Sequence, residues 1–125
     1  MQLRWPTWIG VVVEDLERQR EFYGDQLGFR ETGGSEDWIH LEVPGGGLFE
    51  LIRRDPSPKY NATRFQVGFT VEDIRVAREE LIRRGVEPIS ELEGEESGSA
   101  NMWCYFRDSE ENVFEVTQWI EGLPK

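Results

Sequence analysis

Two glutamates stand in surroundings that disfavour a charge. Glu50 lies between Phe49 and Leu51, and Glu115, 65 positions later, lies between Phe114 and Val116. On a strand, neighbouring side chains point to opposite faces, so each carboxylate points away from the apolar side of its own strand. If the two converge with no cation between them, like-charge repulsion raises the pKa of one. Such a pair can hold a cationic group or act as a general base. The plainer alternative is that they only hydrogen-bond Gln66, Trp8 or water. His40 is the single histidine. It is a candidate metal ligand or general base, or else a hydrogen-bonded or exposed strand histidine, because the Pro44–Gly47 loop leaves its facing open. Trp8, Trp38, Trp103 and Tyr105 share the parity assigned to the carboxylate side. Aromatic walls beside two carboxylates suit a planar or cationic organic ligand, through stacking and cation–π attraction. The alternative is that these rings fill space or meet a second chain. Cys104 has the opposite parity, which places it under a helix and leaves it no nucleophilic role.

An internal repeat must position these groups. Trp8–Leu16 recurs 58 positions later as Gln66–Ile74, with Gly10 and Gly68, Val13 and Val71, Glu14 and Glu72, and Asp15 and Asp73 in step. Each copy leads into a helical pattern, about Asp15 to Leu27 and about Asp73 to Arg84. Asp15 and Asp73 are N-cap candidates, since a carboxylate accepts the free N–H groups of a first helical turn. Gly28 and Gly85 mark the left-handed C-terminal position. Strand patterns follow at about Arg30–Thr32, Asp37–Val43 and Leu48–Arg53, then at about Glu87–Leu92, Asn101–Arg107 and Asn112–Trp119. Each half reads β-α-β-β-β. The openings match at 58 positions and the ends at 65, so the second half carries seven more residues, expected at the acidic Gly94–Gly98 stretch.

The fold class expected is therefore α+β: two βαβββ modules, about 5–55 and about 62–120 of a single domain 1–125, forming one curved mixed sheet with helices outside and a cleft inside. Alternation sends Ile9, Val11, Val13, Val67, Phe69, Val71, Phe114 and Val116 towards the helices. It sends Trp8, Gly10, Val12, Gln66, Gly68, Thr70, Val113, Glu115, Thr117 and Glu50 towards the cleft.

Composition narrows the function classes. A 125-residue chain with 38% hydrophobic and 31% charged residues fits one globular core. Its net charge of −11 repels nucleic acid and anionic membranes. Arg53-Arg54 and Arg83-Arg84 are too sparse for a nucleic-acid patch. The longest apolar run, Trp8 to Val13, is far short of the roughly 20 residues of a membrane span. No signal-peptide core is apparent at the N-terminus, and a lone cysteine forms no internal disulfide, so the expectation is a cytoplasmic protein. Gly45-Gly46-Gly47 lacks the strand-to-helix context of a phosphate loop and reads as a hairpin turn.

Val13-Glu14-Asp15-Leu16-Glu17-Arg18, then Phe22-Tyr23 and Leu27-Gly28-Phe29, resembles the opening of vicinal oxygen chelate proteins, the superfamily of glyoxalases, bleomycin-resistance proteins and extradiol dioxygenases. Phe106-Arg107-Asp108-Ser109-Glu110-Glu111-Asn112-Val113-Phe114-Glu115 resembles their closing segment, with Ser109 and Glu111 where the family has Pro and Gly. The resemblance covers nearly the whole chain in order. Metalloenzymes of that family hold a divalent ion at positions that map onto Trp8, Glu50, Gln66 and Glu115. Glu50, Gln66 and Glu115 could still offer oxygens, with His40 as a replacement ligand. Trp8 cannot ligate, because an indole offers only an N–H donor.

The resemblance thus implies three functions. The leading one is a small-molecule-binding protein of bleomycin-resistance type, with no cofactor expected and an aromatic or cationic ligand held by Trp8, Gln66, Trp38, His40, Trp103 and Tyr105. The second is a lyase, isomerase or dioxygenase using Glu50 and Glu115 as metal ligands. The third is a metal-free enzyme with Glu50 or Glu115 as catalytic base. A homodimer is also expected, from the habit of similar single domains and from aromatics near the termini, Trp5 and Trp119, that call for cover.

Overall fold

The computed structural model describes residues 1–55, 64–95 and 99–120. Of the Gly94–Gly98 stretch, residues 96–98 lie outside the described residues, as do 62 and 63 at the expected start of the second module. Module one comprises β1 (Arg4–Val13), α1 (Leu16–Arg20), β2 (Arg30–Gly34), β3 (Trp38–Glu42) and β4 (Leu48–Arg53). Module two comprises β5 (Phe65–Thr70), α2 (Ile74–Arg83), β6 (Glu87–Pro88), β7 (Asn101–Arg107) and β8 (Val113–Trp119). All eight strands form one sheet in the order β2-β3-β4-β1-β5-β8-β7-β6. Read through the repeat, the order is the same from either edge inwards. β1 runs parallel to β4 and β5 parallel to β8, while β1 and β5 meet antiparallel at the module boundary.

The helices form where the sequence signals them. Asp15 Oδ1 accepts the N–H of Arg18 at 3.1 Å, and Asp73 Oδ1 accepts those of Arg75 and Val76 at 3.1 and 3.2 Å. Gly28 and Gly85 take φ of 80° and 86°, the left-handed geometry in which a side chain is strained. The first helix departs from expectation. It continues past Arg20 as a π-helical turn, Glu21–Gln26, in which Leu27 N–H donates to Phe22 C=O at 3.0 Å. That turn exposes Phe22 and directs Tyr23 inwards, where its ring packs against Phe29 and Phe49.

Two cores lie between sheet and helices. Val11, Val13, Leu16, Ile39, Leu41 and Leu51 bury under α1. Val71, Ile74, Ala77, Leu81, Cys104, Phe106 and Val116 bury under α2. Each large aliphatic or aromatic side chain fully buried here contributes roughly 1.5–3 kcal/mol of transfer free energy. Burial pushes the Cys104 thiol up to about 12, so the buried group is inert. The expected facing of Ile9 holds only in direction. It lies on the helix side of the sheet, but 44% exposed, because among the described residues α1 packs chiefly on β4 and α2 on β7 and β8, away from the module boundary. Phe65, on the neighbouring strand, is 67% exposed there. Trp119, expected to need cover, is partly buried and donates its indole N–H to Thr7 Oγ1 at 2.9 Å. The strand expected over Glu87–Leu92 shortens to Glu87–Pro88, with a separate bridge at Glu93.

Candidate functional site

The concave face of the sheet encloses a cleft of about 350 Å³. Its register comes from two strand pairs at equivalent places. In module one, His40 on β3 lies opposite Glu50 on β4. In module two, Tyr105 on β7 lies opposite Glu115 on β8. Trp38 and Trp103 stand two residues before His40 and Tyr105, so alternation brings them to the same face. Seven of the residues singled out from sequence therefore line one cleft: Trp8, Trp38, His40, Glu50, Trp103, Tyr105 and Glu115. Gln66 does not join them. It is buried opposite Gly10, beside the cleft rather than on its wall.

Glycines make room for this arrangement. The Trp8 ring lies over Gly10, where a Cβ would come within 2.5 Å of Trp8 Cζ2. In module two a Cβ on Gly68 would stand 2.7 Å from Glu115 Oε1 and 3.2 Å from Trp8 Cβ. The repeated glycine thus lets a large ring lie flat on β1 and a carboxyl group lie flat on β5.

Glu50 is held from two sides. Trp8 Nε1–H donates to its Oε1 at 2.9 Å, and His40 Nε2 meets its Oε2 at 3.1 Å. A carboxylate oxygen only accepts, so Nε2 carries the hydrogen in this contact. The His40 ring is itself held against Trp38, with centroids 4.4 Å apart. Glu115 is buried, and burial pushes its carboxyl well above the usual carboxylate range. The charge of Glu50 pushes it further the same way, its hydrogen bond with Tyr105 opposes the shift, and the charge of Glu93 adds to it.

Glu93, Ser99 and Asn101 are cleft residues that sequence reading missed. Glu93 follows an irregular segment, so no strand alternation announces its facing. The only signal was its position at the start of the longer loop. Asn101 has the parity of Trp103 and could have been found by it; its Nδ2–H donates to Thr117 Oγ1 at 3.1 Å.

The donor set does not fit the divalent ion that the family resemblance brings to mind. Trp8 places a ring and an N–H donor at the first ligand position, and both oxygens of Glu50 already take a donor each. Among the described residues no three His, Cys, Asp or Glu side chains come together as a metal cage. No Lys or Arg lines the cleft among the described residues. Chemically, the site is an aromatic cleft with three carboxylates and one imidazole. Among the described residues no helix is long and apolar enough to cross a membrane.

The family model described as Glyoxalase/Bleomycin resistance protein/Dioxygenase superfamily matches residues 5–116. Among solved structures, a glyoxalase/bleomycin resistance protein/dioxygenase superfamily member from Vibrio splendidus superposes with a TM-score of 0.71 at 16% identity, covering 94% of this chain and 99% of that one. Methylmalonyl-CoA epimerase from Mycobacterium tuberculosis gives 0.66 at 21%, covering 93% and 86%. The Mn(II)-bound glyoxalase from Novosphingobium aromaticivorans gives 0.69 at 16%, covering 94% of this chain and 39% of that one. No curated protein matches in sequence. With the module repeat, the sheet order and a family match over nearly its full length, this chain belongs to the glyoxalase/bleomycin resistance protein/dioxygenase superfamily.

Proposed function

We propose that the cleft binds a small organic cation with a planar part, without a metal ion. The observation that carries this reading is the lining. Trp8, Trp38 and Trp103 bring indole rings to a space that also holds Glu50, Glu93 and Glu115 and no Lys or Arg among the described residues. A cation entering this space gains from the carboxylates and the aromatic rings together. It also offsets the charge of Glu50, which adds to burial in raising the pKa of Glu115, so binding and ionisation of Glu115 support each other. Calorimetric titration with benzylamine, benzyl alcohol and benzoate tests the reading. Benzylamine should bind tightest, lose about tenfold on Glu50→Gln, and bind better as pH rises through the raised pKa of Glu115. Tightest binding of benzoate, indifferent to Glu50→Gln, would overturn it.

A second reading is favoured by one observation: two carboxyl groups in one cleft with the pKa of Glu115 pushed up. A neighbouring base and a protonated acid can move a proton on a carbon acid next to a carbonyl. Methylmalonyl-CoA epimerases share the fold. Loss of the α-proton signal of methylmalonyl-CoA in D2O, abolished by Glu115→Gln, would favour this enzyme over the binding protein.

A cytoplasmic homodimer belongs to the same proposal. Trp5 at 87% exposure, Ile9 and Phe65 remain uncovered on the convex face. Ile9 and Phe65 lie on the two strands that meet at the module boundary, where the repeat makes the surface self-similar and suits a twofold contact with a second copy. Light scattering should give twice the 14.6 kDa chain mass; the mass of one chain would overturn the dimer.

A further inference from the structure

We propose that Glu93 is a specificity-determining residue that makes the cleft select a planar ring carrying two basic groups over one carrying a single basic group. The inference rests on the cation-binding reading and names the ligand class more narrowly. Its starting point is a difference between equivalent places. In module one the segment beside Trp38 contributes Ser35, whose N–H donates to Trp38 C=O at 2.9 Å. In module two the segment beside Trp103 contributes Glu93, in an antiparallel bridge with both hydrogen bonds made: Glu93 N–H to Trp103 C=O at 2.8 Å and the reverse at 3.1 Å. The next residue, Gly94, has φ of 95° and lies so close to Trp103 that a Cβ would meet ring atom Cζ3 at 2.5 Å. Backbone and ring thus fix where the Glu93 side chain starts, and it lines the cleft.

Glu93 and Glu50 approach from different walls. Glu50 belongs to β4, and Glu93 is bridged to β7, with β1, β5 and β8 between those strands. Sheet curvature brings both to one cleft, and Glu115 between them feels the charge of each. The other titratable groups lining the space among the described residues are His40, already engaged with Glu50, and Tyr105, hydrogen-bonded to Glu115. A ligand with one basic group satisfies one wall. A ring with basic groups at both ends reaches Glu50 on one side and Glu93 on the other, with indole faces for the ring between.

The test uses p-xylylenediamine, benzylamine and benzyl alcohol as calorimetric probes of wild type, Glu93→Gln and Glu93→Ser. Both substitutions keep the backbone bridge, and the second copies the module-one residue. Wild type should bind the diamine about tenfold more tightly than benzylamine, and either substitution should weaken the diamine by more than it weakens benzylamine and so erase most of that advantage. An advantage for the diamine that survives both substitutions would overturn the role of Glu93, as would equal losses for both amines. If wild type instead binds benzyl alcohol as tightly as benzylamine and Glu50→Gln changes neither, the cation-binding reading itself fails. Benzylamine bound through Glu50 with no diamine preference would sink only the present inference.

Discussion

Module one and module two carry a glutamate at the same register, 65 positions apart, yet they surround it differently. Glu50, with its side chain 17% exposed, receives one N–H from Trp8 and one from His40. Glu115 is buried against Gly68, has the Tyr105 hydroxyl as a hydrogen-bond partner, and feels the charge of two other carboxylates. The scaffold supplies the position, while burial and neighbouring charge decide the protonation state. One ring stands near both environments: Trp8 donates to Glu50 with its indole N–H, and its Cβ lies beside the Gly68 position over which Glu115 Oε1 rests.

Removing that ring should therefore give the largest effect. Trp8→Ala should destabilise the fold by about 3–5 kcal/mol in urea denaturation, since it empties a buried aromatic site and takes a donor from Glu50. The two glycines sharpen the comparison. Gly10→Ala and Gly68→Ala should each cost about 1–3 kcal/mol by overpacking. In a Trp8→Ala background the Gly10→Ala penalty should nearly vanish, because its clash is with the indole. The Gly68→Ala penalty should persist, because its first clash is with Glu115 Oε1. Equal coupling of both glycines to Trp8 would show that the modules are not packed as described.

Acid–base linkage gives a third contrast. The pKa of Glu115 is raised in the folded protein, so the native state holds a proton that the unfolded chain releases above the ordinary glutamate value of 4.5. The stabilising contribution of that proton is complete below the unfolded pKa and is lost as pH rises through the folded one. Stability should fall with rising pH across that window, and Glu115→Gln should flatten the fall. A pH–stability profile unchanged by Glu115→Gln would contradict the burial argument. The smallest effect concerns the turns ahead of the two final strands. Module one has Gly45 at φ 83°, whereas module two has Glu111 at φ 69°. Glu111→Gly should stabilise by about 0.5–1 kcal/mol, measured as a rise in melting temperature.

Much of this architecture was legible in the residues. The repeated glycine, valine and acidic pair marked β1 and β5, and strand alternation brought Glu50, Glu115 and the aromatics to one face. His40 became assignable once β3 and β4 paired across the glycine turn, because its facing depends on register rather than composition. Other features were hidden for physical reasons. Helical periodicity does not distinguish α from π over one turn, so the continuation through Glu21–Gln26 was unseen. Alternation says which face Gln66 takes but not whether neighbouring side chains leave it at the surface. Glu93 sits where no period applies, and only the bridge to Trp103 reveals its place. The openness around Ile9 follows from helix length and position, which a strand pattern does not encode.

The most direct test is a carbon-detected NMR titration of the glutamate carboxyls, in wild type and in Glu50→Gln. Glu115 should titrate well above the usual carboxylate range in wild type. It should move down when Glu50 loses its charge, and down again in wild type when benzylamine is added. A Glu115 signal that titrates in the ordinary range, unmoved by Glu50→Gln and by the amine, would contradict the account.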